Sequence, residues 1–353
     1  MKNSLLIIAS CLLISACLPK QAEAQLHVNK NVPDTAGLTN NFYDNEPVKQ
    51  LPMVALSVDG EIANPGVVNF SKLPIRSVIV KEAKLNSDGS NKFVGAYRYD
   101  GYSLYDILNE VKLQKKNTNE FAPIIDLYVE ISNDLGEKVI ISWGEIYYPN
   151  NLHNIIIANS VMRIVPSKTK ELWVLPETSK LVIPTDLLTE RNISNPSKIS
   201  IRSAVASYKV QKGLSPMFSE SFKLMAEDGK EVVVKEVAAG LNTVTYNSIF
   251  YGRGRGIHST TPFIGYELKQ VMEPYYRMST ENIQRGLFVL AGLDGYRVVM
   301  TYSELFNRND QAEFLLISGK NEKDGGCFRI FPACDFFSDR AVKALFDIRF
   351  EKR

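Results

Sequence analysis

The chain has 353 residues, with 41 Lys and Arg against 39 Asp and Glu. Its 45% hydrophobic and 23% charged content is ordinary for a globular protein and excludes a disordered or collagen-like chain. A net charge of +2 excludes a strongly basic nucleic-acid binder, so no nucleic-acid partner is expected.

The first 24 residues, MKNSLLIIASCLLISACLPKQAEA, read as a signal peptide. Lys2 supplies the positive start, and Leu5 to Ala16 is a 12-residue apolar run, too short to span a bilayer. Two cleavage sites compete. Ile14-Ser15-Ala16-Cys17 resembles a bacterial lipobox, which makes Cys17 a candidate lipidation residue. Ala22-Glu23-Ala24 fits an ordinary A-x-A cut. Both export the protein, to the periplasm or as a lipoprotein anchored at the outer membrane, and a lipid anchor is the only membrane contact expected. Removing the segment takes two of the basic and one of the acidic residues, leaving 39 against 38. Residues 25–50 are polar, lack apolar periodicity and read as a flexible tether.

Beyond the tether the chain repeats itself. Tyr99-Asp100-Gly101-Tyr102-Ser103-Leu104 and Phe263-Ile264-Gly265-Tyr266-Glu267-Leu268 share one pattern: aromatic, any residue, Gly-Tyr, any residue, Leu. LYVEISNDLGEKVIISWGEI from Leu127 then matches LFVLAGLDGYRVVMTYSEL from Leu287: strand, turn with Asp and Gly, strand, and a short helix holding Glu145 or Glu304. The apolar runs at Ile155 and Phe314 follow. LVIPTDLLTERNISNPSKISI and FRIFPACDFFSDRAVKALFDI close each half, with an Arg after the Pro. The expected organisation is two copies of one domain, 51–205 and 206–353, joined within Arg202 to Gly213. The first copy carries an extra segment around Val161 to Pro176, read as a partner-binding flap or as a solvated loop anchored by Trp173.

Strand signals outnumber helix signals. The stretches at Val78 and Val232 mix β-branched and charged residues. Short helices are expected at Leu104–Val111, Glu267–Met272 and Arg340–Phe346, the last from the spacing of Val342, Leu345 and Phe346. The fold class is therefore α+β, with mixed or antiparallel sheets and short helices.

The segment Phe250–His258, FYGRGRGIH, is the sharpest local feature. Its glycines let the backbone turn tightly, and Arg253 and Arg255 suit bidentate capture of a phosphate or carboxylate. Arg253, Arg255, His258 and Tyr251 are the candidate cofactor- or anion-binding residues, with a solvated Gly-Arg loop as the alternative. Glu145 and Glu304 occupy equivalent positions and read as helix-start residues rather than an acid–base pair. Neither His27 nor His153 has a partner at metal-ligand spacing, so no metal site and no catalytic residue is expected. Cys327 and Cys334 follow the signal peptide in an oxidising compartment, with Pro332 between them. A disulfide is expected, with two buried free thiols as the alternative.

The opening LSVDGEIANPGVVNFSKLP resembles the start of the molybdopterin-binding domain of the sulfite oxidase family. The aromatic-x-Gly-Tyr-x-Leu element, the strand pair around Asp294 and the ending RIFP, Arg340, VKALFDI resemble it too. The resemblance implies two degenerate tandem domains of sulfite-oxidase type. Enzymes of that family use a Cys thiolate as a molybdenum ligand upstream of the aromatic-x-Gly element, a soft ligand for such a metal. Neither Val78–Tyr99 nor Val232–Phe263 contains a Cys. In the family, the neighbourhood of the Gly-Arg segment lies close to the cofactor pocket. The expected function is thus an exported, non-catalytic binding or scaffold protein of the bacterial cell envelope, whose partner is an anionic small molecule or an envelope protein. The alternative is a molybdopterin-dependent oxidoreductase with non-standard metal ligation, so the cofactor stays open.

Overall fold

A computed structural model describes residues 42–205, 208–321 and 325–353. The signal segment 1–24, Cys17 and the tether up to residue 41 lie outside the described residues. The last part of the expected tether belongs to the fold instead. Asp44 pairs with Arg98 at 3.1 Å, the Asn45 amide donates to the Val165 carbonyl at 2.9 Å, and Lys49–Gln50 adds a short strand to Ile156–Arg163.

The protein is mainly β, with mixed and antiparallel sheets and few short helices. The first inner sheet orders Gly66–Val67, Ser57–Gly60, Pro196–Ser203, Leu127–Asn133 and Lys138–Ser142. The second inner sheet orders Glu231–Val234, Phe222–Met225, Leu345–Lys352, Gly286–Gly292 and Arg297–Thr301. The two orders are the same. Each contains one parallel contact, Ser57–Gly60 beside Pro196–Ser203 and Phe222–Met225 beside Leu345–Lys352. The outer sheets repeat as well. Ile75–Leu85, Asn91–Ser103, Ile156–Arg163 and Lys180–Val182 correspond to Val244–Tyr246, Phe263–Glu267, Phe314–Asn321 and Gly326–Pro332.

Alternation along the inner strands decides which faces meet. Leu127, Val129 and Ile131 face the core shared with the first outer sheet, while Tyr128 faces the other way. Phe288 and Leu290 face the core shared with the second outer sheet, while Leu287, Val289 and Ala291 join Tyr128, Ile140 and Val299 in a central cluster between the inner sheets. Both faces of each inner sheet are thus covered, which is why its strands read as near-continuous apolar runs.

The repeated glycines have a steric reason. A Cβ at Gly101 would lie 2.2 Å from the Ile157 carbonyl oxygen, and one at Gly265 would lie 2.9 Å from that of Leu316. Only glycine lets the neighbouring strand approach this closely. Helices begin directly afterwards: α1 at Leu104–Asn109 and, in the second half, α3 at Leu268–Met272, with α2 at Trp143–Tyr147 between them in sequence. The further helices are α4, Thr280–Arg285, and α5, Tyr302–Phe306. The helix expected at Arg340–Phe346 is absent. Ser338–Arg340 is one 3-10 turn, Val342 bridges Ile330, and a strand runs from Leu345 to Lys352. Pairing of that strand with both Gly286–Gly292 and Phe222–Met225 overrides the short helical spacing.

A buried charge cluster joins the two halves. Arg191 makes paired bonds to Asp186, at 2.6 and 2.8 Å, and to Glu145, at 2.5 and 3.0 Å. Arg340 makes the equivalent pair of bonds to Asp335, at 2.7 and 2.8 Å, and reaches Glu304 at 2.6 Å. Ser142 caps α2 and Thr301 caps α5, each accepting from the N–H of its own Glu. The caps are shared crosswise: Arg191 donates to Thr301 at 3.4 Å, and Arg340 donates to Ser142 at 3.3 Å. A Cβ at Gly144 would lie 2.4 Å from the Arg340 guanidinium carbon, so glycine is required there too.

Burial opposes ionisation of Glu304, but Arg340 and the hydrogen bonds from Ser142 and Thr301 outweigh it and hold its carboxyl below the ordinary range. Burial pushes Glu145 up despite Arg191, with Glu304 adding to the rise.

Arg191→Met strands two buried carboxylates and is expected to destabilise the protein by roughly 3–5 kcal/mol, measured by urea unfolding. A group with a lowered folded pKa stabilises above its unfolded value and loses that contribution as pH falls through the folded value. The stability gap between wild type and Glu304→Gln is therefore expected to be full at neutral pH. It should narrow only below the ordinary carboxylate range of about 4. A gap that widens on acidification would contradict this assignment.

Candidate functional site

The two outer sheets differ at their first hairpin. In the first, Ile75–Leu85 and Asn91–Ser103 form a long hairpin closed by a tight turn. In the second, the equivalent edge strand Val244–Tyr246 is short, and the chain leaves the sheet before re-entering at Phe263. The released segment folds into its own hairpin, Phe250–Gly252 against Gly256–Ser259. Gly256 turns it with φ of +73°, a left-handed conformation that favours glycine.

Strand alternation sorts the hairpin's side chains. Phe250 and His258 share one face, with ring centroids 4.9 Å apart, and a Cβ at Gly252 would lie 2.8 Å from His258 Nε2. Tyr251 and Ile257 are paired across the strands on the other face. The His258 face closes over a cleft of about 410 Å³. Arg253, Arg255 and His258 line it together with Met217, Asp294, Tyr296, Ser338, Asp339 and Lys343. Of the candidate binding residues, three therefore converge. Tyr251 does not line the cleft: it stacks on Phe337 at 5.9 Å and meets Phe336 edge-on at 5.7 Å.

The charged groups are only loosely committed. The Arg253 backbone N–H donates to Asp339 Oδ2 at 3.1 Å, but its guanidinium lies 3.9 Å from Asp339 and its side chain is 49% exposed. Such a pair adds little stability and leaves the guanidinium free to engage a ligand. Tyr296 donates its hydroxyl to the Asp339 carbonyl at 2.5 Å. Burial, with Asp339 adding, pushes that hydroxyl up, so it stays a neutral donor. Ser338 is 3% exposed, and its Oγ has no hydrogen-bond partner. Lys343 escapes sequence reasoning because Arg340–Phe346 has helical spacing, and Ser338 and Asp339 precede it with no pattern of their own. As a helix it would not bend around a cleft.

A Ser–His–Asp cluster elsewhere is structural. Ser103 Oγ and Asp106 Oδ2 both approach the same His153 nitrogen, Nδ1, at 3.2 and 3.3 Å. A nucleophilic triad needs the base to bridge through both ring nitrogens. Ser103 is fully buried and caps α1, while Asp106 also takes Arg76 at 3.0 Å. Burial raises the Asp106 carboxyl, but the Arg76 and Ser103 hydrogen bonds outweigh it and hold it low.

Glu145 and Glu304 are helix-start residues spent on the buried cluster. Trp173 anchors the extra segment: its indole donates to the Ile164 carbonyl at 3.2 Å, and its ring meets Phe93 edge-on at 5.1 Å. Among the described residues, no group of three or more His, Cys, Asp and Glu is placed to hold a metal ion.

The expected disulfide is not formed: Cys327 and Cys334 are free. Cys327 opens the strand Gly326–Pro332 and Cys334 lies just past its end. At about 3.3 Å per strand residue they are separated by most of a strand length, far beyond disulfide reach of about 7 Å. Pro332 ends the strand instead of folding it back. Burial pushes the Cys334 thiol up, with Asp335 adding, so it is held as the neutral thiol.

No family model matches the chain, and no curated protein matches it.

Alkylation of the denatured, unreduced protein, followed by peptide mapping, is expected to label both Cys327 and Cys334. A peptide carrying the two joined would contradict the strand geometry.

Proposed function

We propose that the chain is an exported, non-catalytic binding protein of the bacterial cell envelope, built from tandem sulfite-oxidase-like domains, whose second half holds an anionic small molecule. The convergence of Arg253, Arg255 and Lys343 on one cleft carries this reading. Guanidinium forks suit bidentate capture of carboxylate or phosphate. Glycines on both sides of Arg253 and Arg255 let a ligand approach the backbone. The twice-used strand order supports a duplicated domain.

Molybdopterin does not fit these residues in the manner of that family. A thiolate ligand is needed, and neither stretch upstream of Gly101 or Gly265 has a Cys. Cys334 is a thiol held protonated beside Asp335, and neither it nor Cys327 lines the cleft. The oxidoreductase alternative therefore lacks its thiolate ligand at this cleft.

The test is calorimetric titration of the exported protein with inorganic phosphate, sulfate and citrate, beside the Arg253→Ala/Arg255→Ala variant. At least one anion is expected to bind wild type. The variant should lose roughly tenfold or more of that affinity, because charge-assisted hydrogen bonds are removed. Its melting temperature should not change, since both side chains lie at the cleft rather than in the core. Unchanged affinity would remove the site. Near-stoichiometric molybdenum and pterin in protein purified from its native envelope would overturn the non-catalytic reading.

A further inference from the structure

The cleft is not uniformly cationic. Arg253, Arg255 and Lys343 share it with Asp294 and Asp339. Neither carboxylate is neutralised by a close ion pair with the cations around it. Asp294 accepts the Tyr296 N–H at 3.0 Å through Oδ1, the local bond of its own turn. Asp339 accepts one backbone N–H from Arg253 and keeps that guanidinium at 3.9 Å. A site evolved for a bare anion would gain by discarding two carboxylates, because like charge beside the ligand opposes binding.

Ser338 lies in the 3-10 turn beside Asp339, is 3% exposed and has an Oγ without a partner. A buried hydroxyl without a partner is costly. The remaining surface includes the His258 ring beside Phe250, with Met217 and Tyr296. A volume of about 410 Å³ is at the small end of ligand pockets, which run roughly 300–1,000 Å³.

We propose that the cleft binds a small zwitterion of the amino-acid class, with its carboxylate on the Arg253, Arg255 and Lys343 side. Its ammonium group meets Asp294 and Asp339, and its side chain lies against Phe250 and Met217. The proposal rests on the anion-binding reading of the same cleft and narrows it. Arg253 and Arg255 take the acid, and the two aspartates reject ligands that lack a positive group.

The experiment separates the two levels. Three matched pools are titrated by thermal shift and calorimetry against the exported protein: free L-amino acids, their Nα-acetyl derivatives and their amides. Inorganic phosphate, sulfate and citrate run in parallel. The free pool is expected to bind. Acetylation, which removes the positive charge, and amidation, which removes the negative one, should each cost tenfold or more. Asp294→Asn/Asp339→Asn keeps the hydrogen-bonding shape and should lose most of the preference for free over acetylated ligands. Acetylated ligands or simple anions binding as well as free amino acids would overturn the zwitterion proposal and leave the anion reading standing. Free amino acids failing to bind while a simple anion binds would do the same. No binding from any pool or anion would overturn both. Preserved free-over-acetylated preference in the aspartate variant would overturn the assigned role of Asp294 and Asp339.

Discussion

Three buried arginines lie where the halves of the chain meet: Arg297 pairs directly across them with Asp126 at 3.3 Å, while Arg191 and Arg340 pair with carboxylates of their own half and each reach a cap hydroxyl of the other. Arg191 and Arg340 are essentially fully buried, and so are the carboxylates they serve. Removing such charges from water is expensive, and attraction offsets the cost only when hydrogen bonding is nearly complete. Here it is. Paired bonds run from each guanidinium to an aspartate five residues earlier, and a glutamate from a neighbouring helix start completes the set. The cap hydroxyls Ser142 and Thr301 close the remaining directions crosswise. The central cluster between the inner sheets adds Val, Leu, Ile and Ala packing around Tyr128 and Tyr208, and the Tyr208 hydroxyl donates to Asp347 at 2.8 Å.

The repeat was legible because sterics leave few choices at its landmarks. Gly101 and Gly265 stand where a neighbouring strand touches the backbone, and Leu104 and Leu268 are the first buried residues of the helices that follow. Those residues recur at fixed offsets, and a single sequence displays them. Glu145 and Glu304 were legible as helix-start residues for the same reason. Their arginine partners were visible only as landmarks. Nothing in the local pattern says that Arg191, 46 residues after Glu145, returns to it. Long-range pairing also defeated two expectations. Arg340–Phe346 has helical spacing, but its end is needed as a central strand. Cys327 and Cys334 look close in sequence, but the extended strand between them holds them apart. Tyr251 fails differently: period-two alternation in the hairpin sends it to the face opposite Phe250 and His258.

The cleft exists because the two halves diverge at one turn. In the first half, long strands from Ile75 and Asn91 stay paired up to a tight turn, and no side chains are released. In the second, shortening the edge strand to Val244–Tyr246 frees enough chain for a separate hairpin. That hairpin would be marginal alone, since two strands bury little. It is held by Phe250 against Phe331 at 5.9 Å, by Tyr251 on Phe337, and by the Arg253 N–H on Asp339. The last two anchors belong to the segment that also carries Arg340. The buried arginine cluster therefore sets the position of the cleft wall, because Ser338 and Asp339 precede Arg340 in the same 3-10 turn. Moving Arg340 would move Ser338, Asp339 and the hairpin seated on them. A rigid wall of this kind suits recognition by fixed charges, while the half-exposed arginines of the hairpin tip supply the adaptable part. The buried cluster that reaches Ser142 and Thr301 across the halves thus also shapes the hairpin at which the two outer sheets part.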